Sequence, residues 1–190
     1  NEKAVDTMKI VIFDADTVAG KELSLDPITS LGESRVYDLV PPAQLIDHIG
    51  DADVVLCNKA NITEEIMDAC PSIKMIGVFA TGYNNIDIKA AKKRGIPVCN
   101  VPGYSTHSVA QLTVAMVLSL VNHLPQYREF VHSGAYAAQS VANRLVPVWH
   151  ELKGQVWGIV GGGNIGSQVA EIAKAVGREV IVCRRKQDLP

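Results

Sequence analysis

The sequence predicts an α/β protein in two domains, built on parallel strands with helices on both faces. Three observations predict it. Short apolar or β-branched runs alternate with helical patterns along the first hundred residues. A long apolar segment from Ser105 to Leu124 then interrupts the alternation. After it, a second α/β unit opens at Gln155 with a strand, a glycine-rich turn, a helix and another strand.

Taken in order, Lys9 to Phe13 is a β-branched run expected as a buried strand, and a weak helix follows around Gly20 to Leu31. Arg35 to Val40 is the next strand. Pro41-Pro42 opens a helix over Ala43 to Ile49, a position that suits proline because the first N–H groups of a helix have no partner. Asp53 to Cys57 is the third strand. A helix capped by Asn61 or Thr63 stops before Pro71. Lys74 to Ala80 is the fourth strand, Asn85 to Arg94 a basic helix ended by Gly95, and Ile96 to Val101 the fifth strand. In Ser105 to Leu124 the apolar residues lie on more than one face, so this helix is expected to be buried on most sides. Ser105 or Thr106 would cap it and Pro125 would end it. A second helix covers Gln126 to Val131, and Ala135 to Leu152 is irregular.

The turn at Gly161-Gly162-Gly163-Asn164-Ile165-Gly166 is the stretch with the most chemistry. Gly161, Gly163 and Gly166 fill the three positions of G-x-G-x-x-G between a strand and a helix. The first glycine allows the tight turn, the second lets the backbone approach a pyrophosphate, and the third lets helix and strand pack closely. The free N–H groups at the helix start then hold negative charge. Val169, Ile172, Ala173 and Val176 recur at helical spacing, Gly177 ends the helix, and Glu179 to Cys183 is the second strand. That completes a βαβ opening for a dinucleotide. An acid is expected about 20 residues after the glycines to accept from the ribose hydroxyl of NAD. Position 184, eighteen residues beyond Gly166, is arginine instead, followed by Arg185 and Lys186. Guanidinium groups attract a 2′-phosphate that a carboxylate would repel, so the expected cofactor is NADP, with NAD the alternative. The competing reading is a basic surface loop.

Composition sets the limits. The 190 residues are 47% hydrophobic and 20% charged, an ordinary globular balance. The net charge of −2 gives no support to a nucleic-acid surface. The four cysteines have no metal-ligand spacing, which favours a reducing, cytoplasmic setting. No apolar run approaches ~18 residues, so no membrane span is expected. Asn1 to Thr7 show no pattern and are left out of the predicted fold. The common dinucleotide-binding sheet needs about six strands. Only two follow Gln155, so the second domain is expected to be incomplete within this sequence.

Two further motifs compete with bland alternatives. Asp14-Ala15-Asp16-Thr17 fits the D-x-D-x-[TV] opening of haloacid dehalogenase-like phosphatases. The later acidic group of that family should follow a strand, whereas Asp51 and Asp53 precede one, which leaves two carboxylates at a strand end as the simpler reading. Thr81-Gly82-Tyr83-Asn84 lies between a strand and a helix, where backbone N–H groups near Thr81 and Gly82 could accept a substrate carboxylate. A plain turn with Gly82 left-handed is the alternative. The five histidines have no acidic partner at a fixed spacing, and Lys59 reads as solvated.

In order, Ala80-Thr81-Gly82-Tyr83-Asn84-Asn85-Ile86-Asp87, Asn100-Val101-Pro102-Gly103-Tyr104-Ser105-Thr106, Val109-Ala110-Gln111 and Gly161 to Gly166 resemble the D-isomer-specific 2-hydroxyacid dehydrogenases, nearest the glycerate dehydrogenase and glyoxylate/hydroxypyruvate reductase branch. The resemblance implies a flavodoxin-like parallel-sheet substrate domain over residues 8–100. The first part of a Rossmann dinucleotide-binding domain then follows over 101–190. It implies that Thr81 and Gly82 bind the substrate carboxylate, that the Thr106 hydroxyl approaches the nicotinamide side, and that Asn164 and Ile165 lie over the pyrophosphate. Arg184 stands where NAD-using members carry Asp. The implied reaction is hydride transfer between NAD(P)H and a small 2-oxo acid such as glyoxylate or hydroxypyruvate. The family's catalytic Arg, Glu and His all follow the second strand of the coenzyme domain, so no catalytic residue is assigned here and this stretch alone is expected not to turn over. The resemblance also implies a homodimer formed through the long helix and the segment after it. A non-catalytic, dinucleotide-responsive binding module of the same fold is the alternative function.

Overall fold

The computed structural model describes residues 7–20, 22–141, 143–177 and 179–184. The chain divides into two compact units between Pro102 and Gly103.

In the first unit, β1 (Lys9–Ile12), β2 (Glu33–Val36), β3 (Val54–Cys57), β4 (Met75–Val78) and β5 (Val98–Cys99) form one sheet in the order β2-β1-β3-β4-β5. Every pairing is parallel, with Ile10 opposite both Ser34 and Val54, Val54 opposite Met75, and Ile76 opposite Val98. This is the flavodoxin-like order. Alternation along the strands fills both faces. Val11, Phe13, Val55, Cys57, Ile76 and Val78 enter a core with Leu45 and Ile49 of α2 (Leu45–Ile49), Ile66 and Met67 of α3 (Glu64–Ala69), and Ala90 and Ala91 of α4 (Ile88–Lys93). Ile10, Ile12 and Val54 face the other way, onto Leu25 and onto Ile28 of α1 (Asp26–Thr29).

The element starts differ from the sequence reading for local reasons. The helix expected over Gly20 to Leu31 is reduced to a 3-10 turn at Ala15–Thr17 and the four residues of α1. Asp14 and Gly20, with φ of 63° and 54°, break the chain direction there. The helix expected from Asn85 begins at Ile88. Ile86 pairs instead with Ile62 in a parallel bridge, and Asp87 caps α4 by accepting from the Ala90 N–H at 2.9 Å. Thr63 caps α3 through the Ile66 N–H.

The second unit contains α5 (Thr106–Val121), α6 (Leu124–His132), α7 (Ala135–Ala138), β6 (Val156–Val160), α8 (Asn164–Ala175) and β7 (Glu179–Cys183). β6 and β7 pair in parallel from Val156 opposite Glu179 to Val160 opposite Cys183. Trp157 and Ile159 pack one sheet face against Ala110 and Val114 of α5 and Val169, Ala170 and Ala173 of α8. On the other face Val160 is 93% exposed.

The expectation that α5 is buried on most sides is wrong. Only Ala110 and Val114 are buried, whereas Leu112, Met116 and Leu120 stay 59%, 52% and 72% exposed. The helix packs through its small-residue face and leaves its larger side chains outside. Ser105 occupies the N-cap position without a side-chain capping bond. The break after α5 comes at Asn122–His123, where His123 takes φ 52°, and Pro125 lies in the first turn of α6 rather than ending α5. Among the described residues no single helix is long and apolar enough to cross a membrane; α5 and α6 reach that length only together, across a 64° bend.

Candidate dinucleotide and carboxylate sites

Because the strands of the first unit are parallel, the residues following them share one edge of the sheet. In this fold ligands bind outside the carboxyl ends, by the β1–β3 switch point. Here that position is filled from within. Asp14, buried after β1, aims its carboxylate at the turn after β3, where Oδ2 accepts from the N–H groups of Asn58 (2.9 Å), Lys59 (2.6 Å) and Ala60 (2.9 Å). The Asn58 amide donates to the Thr17 hydroxyl at 2.8 Å and closes the arrangement. Asp14 is therefore a structural anion, neither solvated nor placed as a phosphatase nucleophile. Among the described residues no group of three or more His, Cys, Asp or Glu side chains could hold a metal ion. Lys59 is exposed, as expected.

With the switch point occupied, the open backbone lies after β4. Among the described residues, the N–H groups of Thr81, Gly82 and Tyr83 have no partner, and all three residues are exposed. Gly82 does not have positive φ, so the left-handed turn is not its role. The loop is held from behind: the Asn100 amide donates to the Thr81 carbonyl at 2.7 Å, and the Thr81 hydroxyl donates to the Val101 carbonyl at 3.0 Å. Asn85 braces the neighbouring turn by donating to the Ala60 carbonyl at 2.8 Å. Three free donors on a fixed loop suit a small carboxylate. An apolar hollow of about 550 Å³ nearby is lined by Tyr83, Ile96 and Pro97 but by neither Thr81 nor Gly82, so it is a separate feature.

Cys57 lies beneath this edge. Burial, with the Asp14 charge adding to it, pushes its thiol up to about 12, and the Asn85 contact opposes the shift. It is a core residue with no nucleophilic character at neutral pH.

In the second unit each glycine of the turn has its own reason. Gly161 takes φ 103°, a conformation side chains rarely adopt, and its N–H donates to the Cys183 carbonyl at 2.9 Å. A Cβ on Gly166 would run into the Gly161 carbonyl oxygen and stand 3.3 Å from Ile159 Cγ2, so only glycine allows α8 this close to β6. In front of Gly163, where a Cβ would stand, the space is open. Gly162 and Gly163 have no N–H partner among the described residues, and the first N–H groups of α8, at Asn164 and Ile165, have none within the helix. The Asn164 and Ile165 residues are exposed at the turn. A cradle of free donors with an open approach fits a pyrophosphate. The side chain of Arg184 lies against Gly162. Arg185, the second arginine expected to meet a 2′-phosphate, lies outside the described residues. Thr106 is the first residue of α5, half-buried, and its hydroxyl has no partner among the described residues.

The family profile described as "D-isomer specific 2-hydroxyacid dehydrogenase, catalytic domain" matches residues 10–182. The chain belongs to this family. Within it, the chain is 38% identical over 184 residues to a hydroxypyruvate reductase of Blautia hydrogenotrophica, covering 92% of this chain and 55% of that protein. It is 34% identical over 147 residues to a glyoxylate reductase of Thermococcus litoralis, covering 76% and 44%. Among solved structures, an acyclic imino acid reductase in complex with NADPH and D-Arg superimposes with a TM-score of 0.79 at 26% identity, covering 96% of this chain and 57–58% of chains such as that one and the TT0316 protein of Thermus thermophilus. The chain spans about half the length of the curated relatives it matches.

Against this family background, two supporting residues went unnoticed in the sequence. Asn100 and Asn85 shape the carboxylate loop from 19 and 25 residues away. Both lie inside the stretches that carry the family resemblance, but nothing local marks an asparagine as a brace rather than a turn residue.

Proposed function

We propose that this chain supplies the substrate-carboxylate loop and the opening of the coenzyme site of an NADP-dependent reductase of small 2-oxo acids, such as glyoxylate or hydroxypyruvate. The observation that carries the proposal is the run of unpaired N–H groups at Thr81, Gly82 and Tyr83, braced by Asn100, in a chain of this family. Residues 8–100 are read as the substrate domain and 101–190 as the coenzyme domain. The reductase names of the relatives support the substrate class.

The bound nicotinamide would supply the hydride. The chain's own residues do the holding. The Thr81–Tyr83 backbone binds and orients the carboxylate, which fixes where C2 of the acid stands. Gly162, Gly163, Asn164 and Ile165 bind the pyrophosphate through N–H groups, and the Thr106 hydroxyl is free to bond on the nicotinamide side. Arg184, with Arg185 after it, favours the 2′-phosphate of NADP over NAD. No proton donor is assigned among these residues. The exposed apolar stripe of α5 supports a homodimer, and four unpaired thiols suit the cytoplasm.

The test is reduction of glyoxylate and hydroxypyruvate by the full-length protein, followed by nicotinamide absorbance with NADPH and with NADH. Turnover with a preference for NADPH is expected. NADPH binding without turnover of any 2-oxo acid would favour the binding-module reading instead.

A further inference from the structure

The middle residue of the glycine turn has no conformational reason to be glycine. Gly162 does not have positive φ, so its backbone would accept an L side chain without strain. Its obstacle is a neighbour. A Cβ on Gly162 would overlap Nε of Arg184 and stand 2.9 Å from Arg184 Cγ and 2.9 Å from Val182 Cγ1. Strand register explains the meeting. Val160 pairs with Cys183, and the Gly161 N–H donates to the Cys183 carbonyl, so the residue after Cys183 emerges beside the turn. Arg184 folds into the space that Gly162 leaves. Among the described residues it has no carboxylate partner, so its charge is available.

We propose that Gly162 determines cofactor specificity: by carrying no side chain it lets Arg184 lie over the glycine turn, and that placement sets the preference for a dinucleotide with a 2′-phosphate. The inference rests on the NADP reading above and adds to it a positioning residue outside the three glycines of the motif. Gly162 touches no reacting atom. It acts through Arg184, whose planar guanidinium needs a set position to bind a phosphate through paired hydrogen bonds.

The experiment is calorimetric titration of the full-length protein and its Gly162→Ala, Arg184→Ala and doubly substituted forms. The probes are NADPH, NADH, 2′,5′-ADP and 5′-AMP, and each variant's thermal midpoint is recorded beside them. Arg184 and Val182 side chains can rotate away, so G162A is expected to fold. It should lower the NADPH-to-NADH affinity ratio by about five- to tenfold, on the scale of a charge-assisted hydrogen bond, and weaken 2′,5′-ADP alike. NADH and 5′-AMP should change by less than about twofold. R184A should reproduce this pattern, and the double variant should lose little more, because both changes remove one interaction. If R184A collapses the ratio and G162A does not, the inference fails while the NADP reading stands. If the parent protein has no preference for NADPH, both fail. Equal weakening of all four probes in G162A, or its failure to fold, makes Gly162 a structural residue only and also overturns the inference.

Discussion

The carboxylate of Asp14 accepts from the backbone N–H of Lys59 at 2.6 Å, 45 residues along the chain. With the Asn58 and Ala60 N–H groups on the same oxygen, Asp14 holds the turn after β3 much as a bound anion would. The crevice where parallel sheets of this order commonly take a ligand is thereby filled by the protein's own side chain. That leaves the loop after β4, with its free donors, as the place for an external carboxylate.

Replacing Asp14 tests that role through stability. Asp14→Ala strands three donors and places alanine at φ 63°, so a loss of about 3 kcal/mol is expected from the desolvation of unpaired groups and the left-handed backbone. Asp14→Asn retains an acceptor oxygen and tolerates that backbone, so it should lose about half as much. Urea unfolding followed by circular dichroism reads the difference. Equal stability of D14A and the parent would show that the turn stands without it.

Asn100 braces the carboxylate loop, and its effect should be confined to the acid. Asn100→Ala removes the 2.7 Å bond to the Thr81 carbonyl, a partly exposed interaction of about 1 kcal/mol. Oxalate or oxamate binding to the full-length protein with NADPH should weaken about fivefold, while NADPH affinity stays the same. Unchanged affinity for both acids would separate Asn100 from the site.

Cys57 and Cys70 are buried whereas Cys99 and Cys183 are exposed, so the native thiols should label in two classes. Mass spectrometry after brief iodoacetamide treatment near pH 8 should find the exposed pair modified and the buried pair intact, with all four modified in urea. The pH dependence follows from Cys57. Its folded thiol is pushed up to about 12 from an ordinary value of 9.0, so the folded state holds its proton more tightly than the unfolded state. That contribution to stability is fully present below pH 9.0 and is lost as pH rises toward about 12. Unfolding midpoints measured across this range should fall. Rapid native labelling of Cys57 would contradict its buried position.

The parallel sheet and the glycine turn were legible in the sequence because both depend on local signals. β-branched runs such as Lys9–Phe13 lie buried on both faces, and the Gly161 and Gly166 spacing answers to a positive φ and a helix–strand contact close in sequence. What failed depended on distant partners. Asn85 looked like a helix start, but its neighbour Ile86 pairs with Ile62, a residue from another loop. Asp14 resembled a catalytic carboxylate until its acceptors were traced to residues 58–60. On α5, apolar residues on several faces suggested full burial. Periodicity cannot distinguish a face covered by the same chain from one left for something else, and Leu112, Met116 and Leu120 are the result.

Those three residues lie at successive four-residue steps, so they form one stripe along α5. Exposed apolar side chains in such a row mark an interaction surface, and the proposed occupant is a second copy of the chain. Burying each fully would contribute about 1.5–3 kcal/mol, enough for the stripe to dominate a dimer contact. Leu112→Glu with Met116→Glu places two carboxylates on that face. The helix should keep its fold, since Ala110 and Val114 make its internal contacts, so circular dichroism should not change. Sedimentation velocity of the full-length protein should show a dimer for the parent and a monomer for the double variant. A monomeric parent, or a variant that still sediments as a dimer, would remove α5 from the interface.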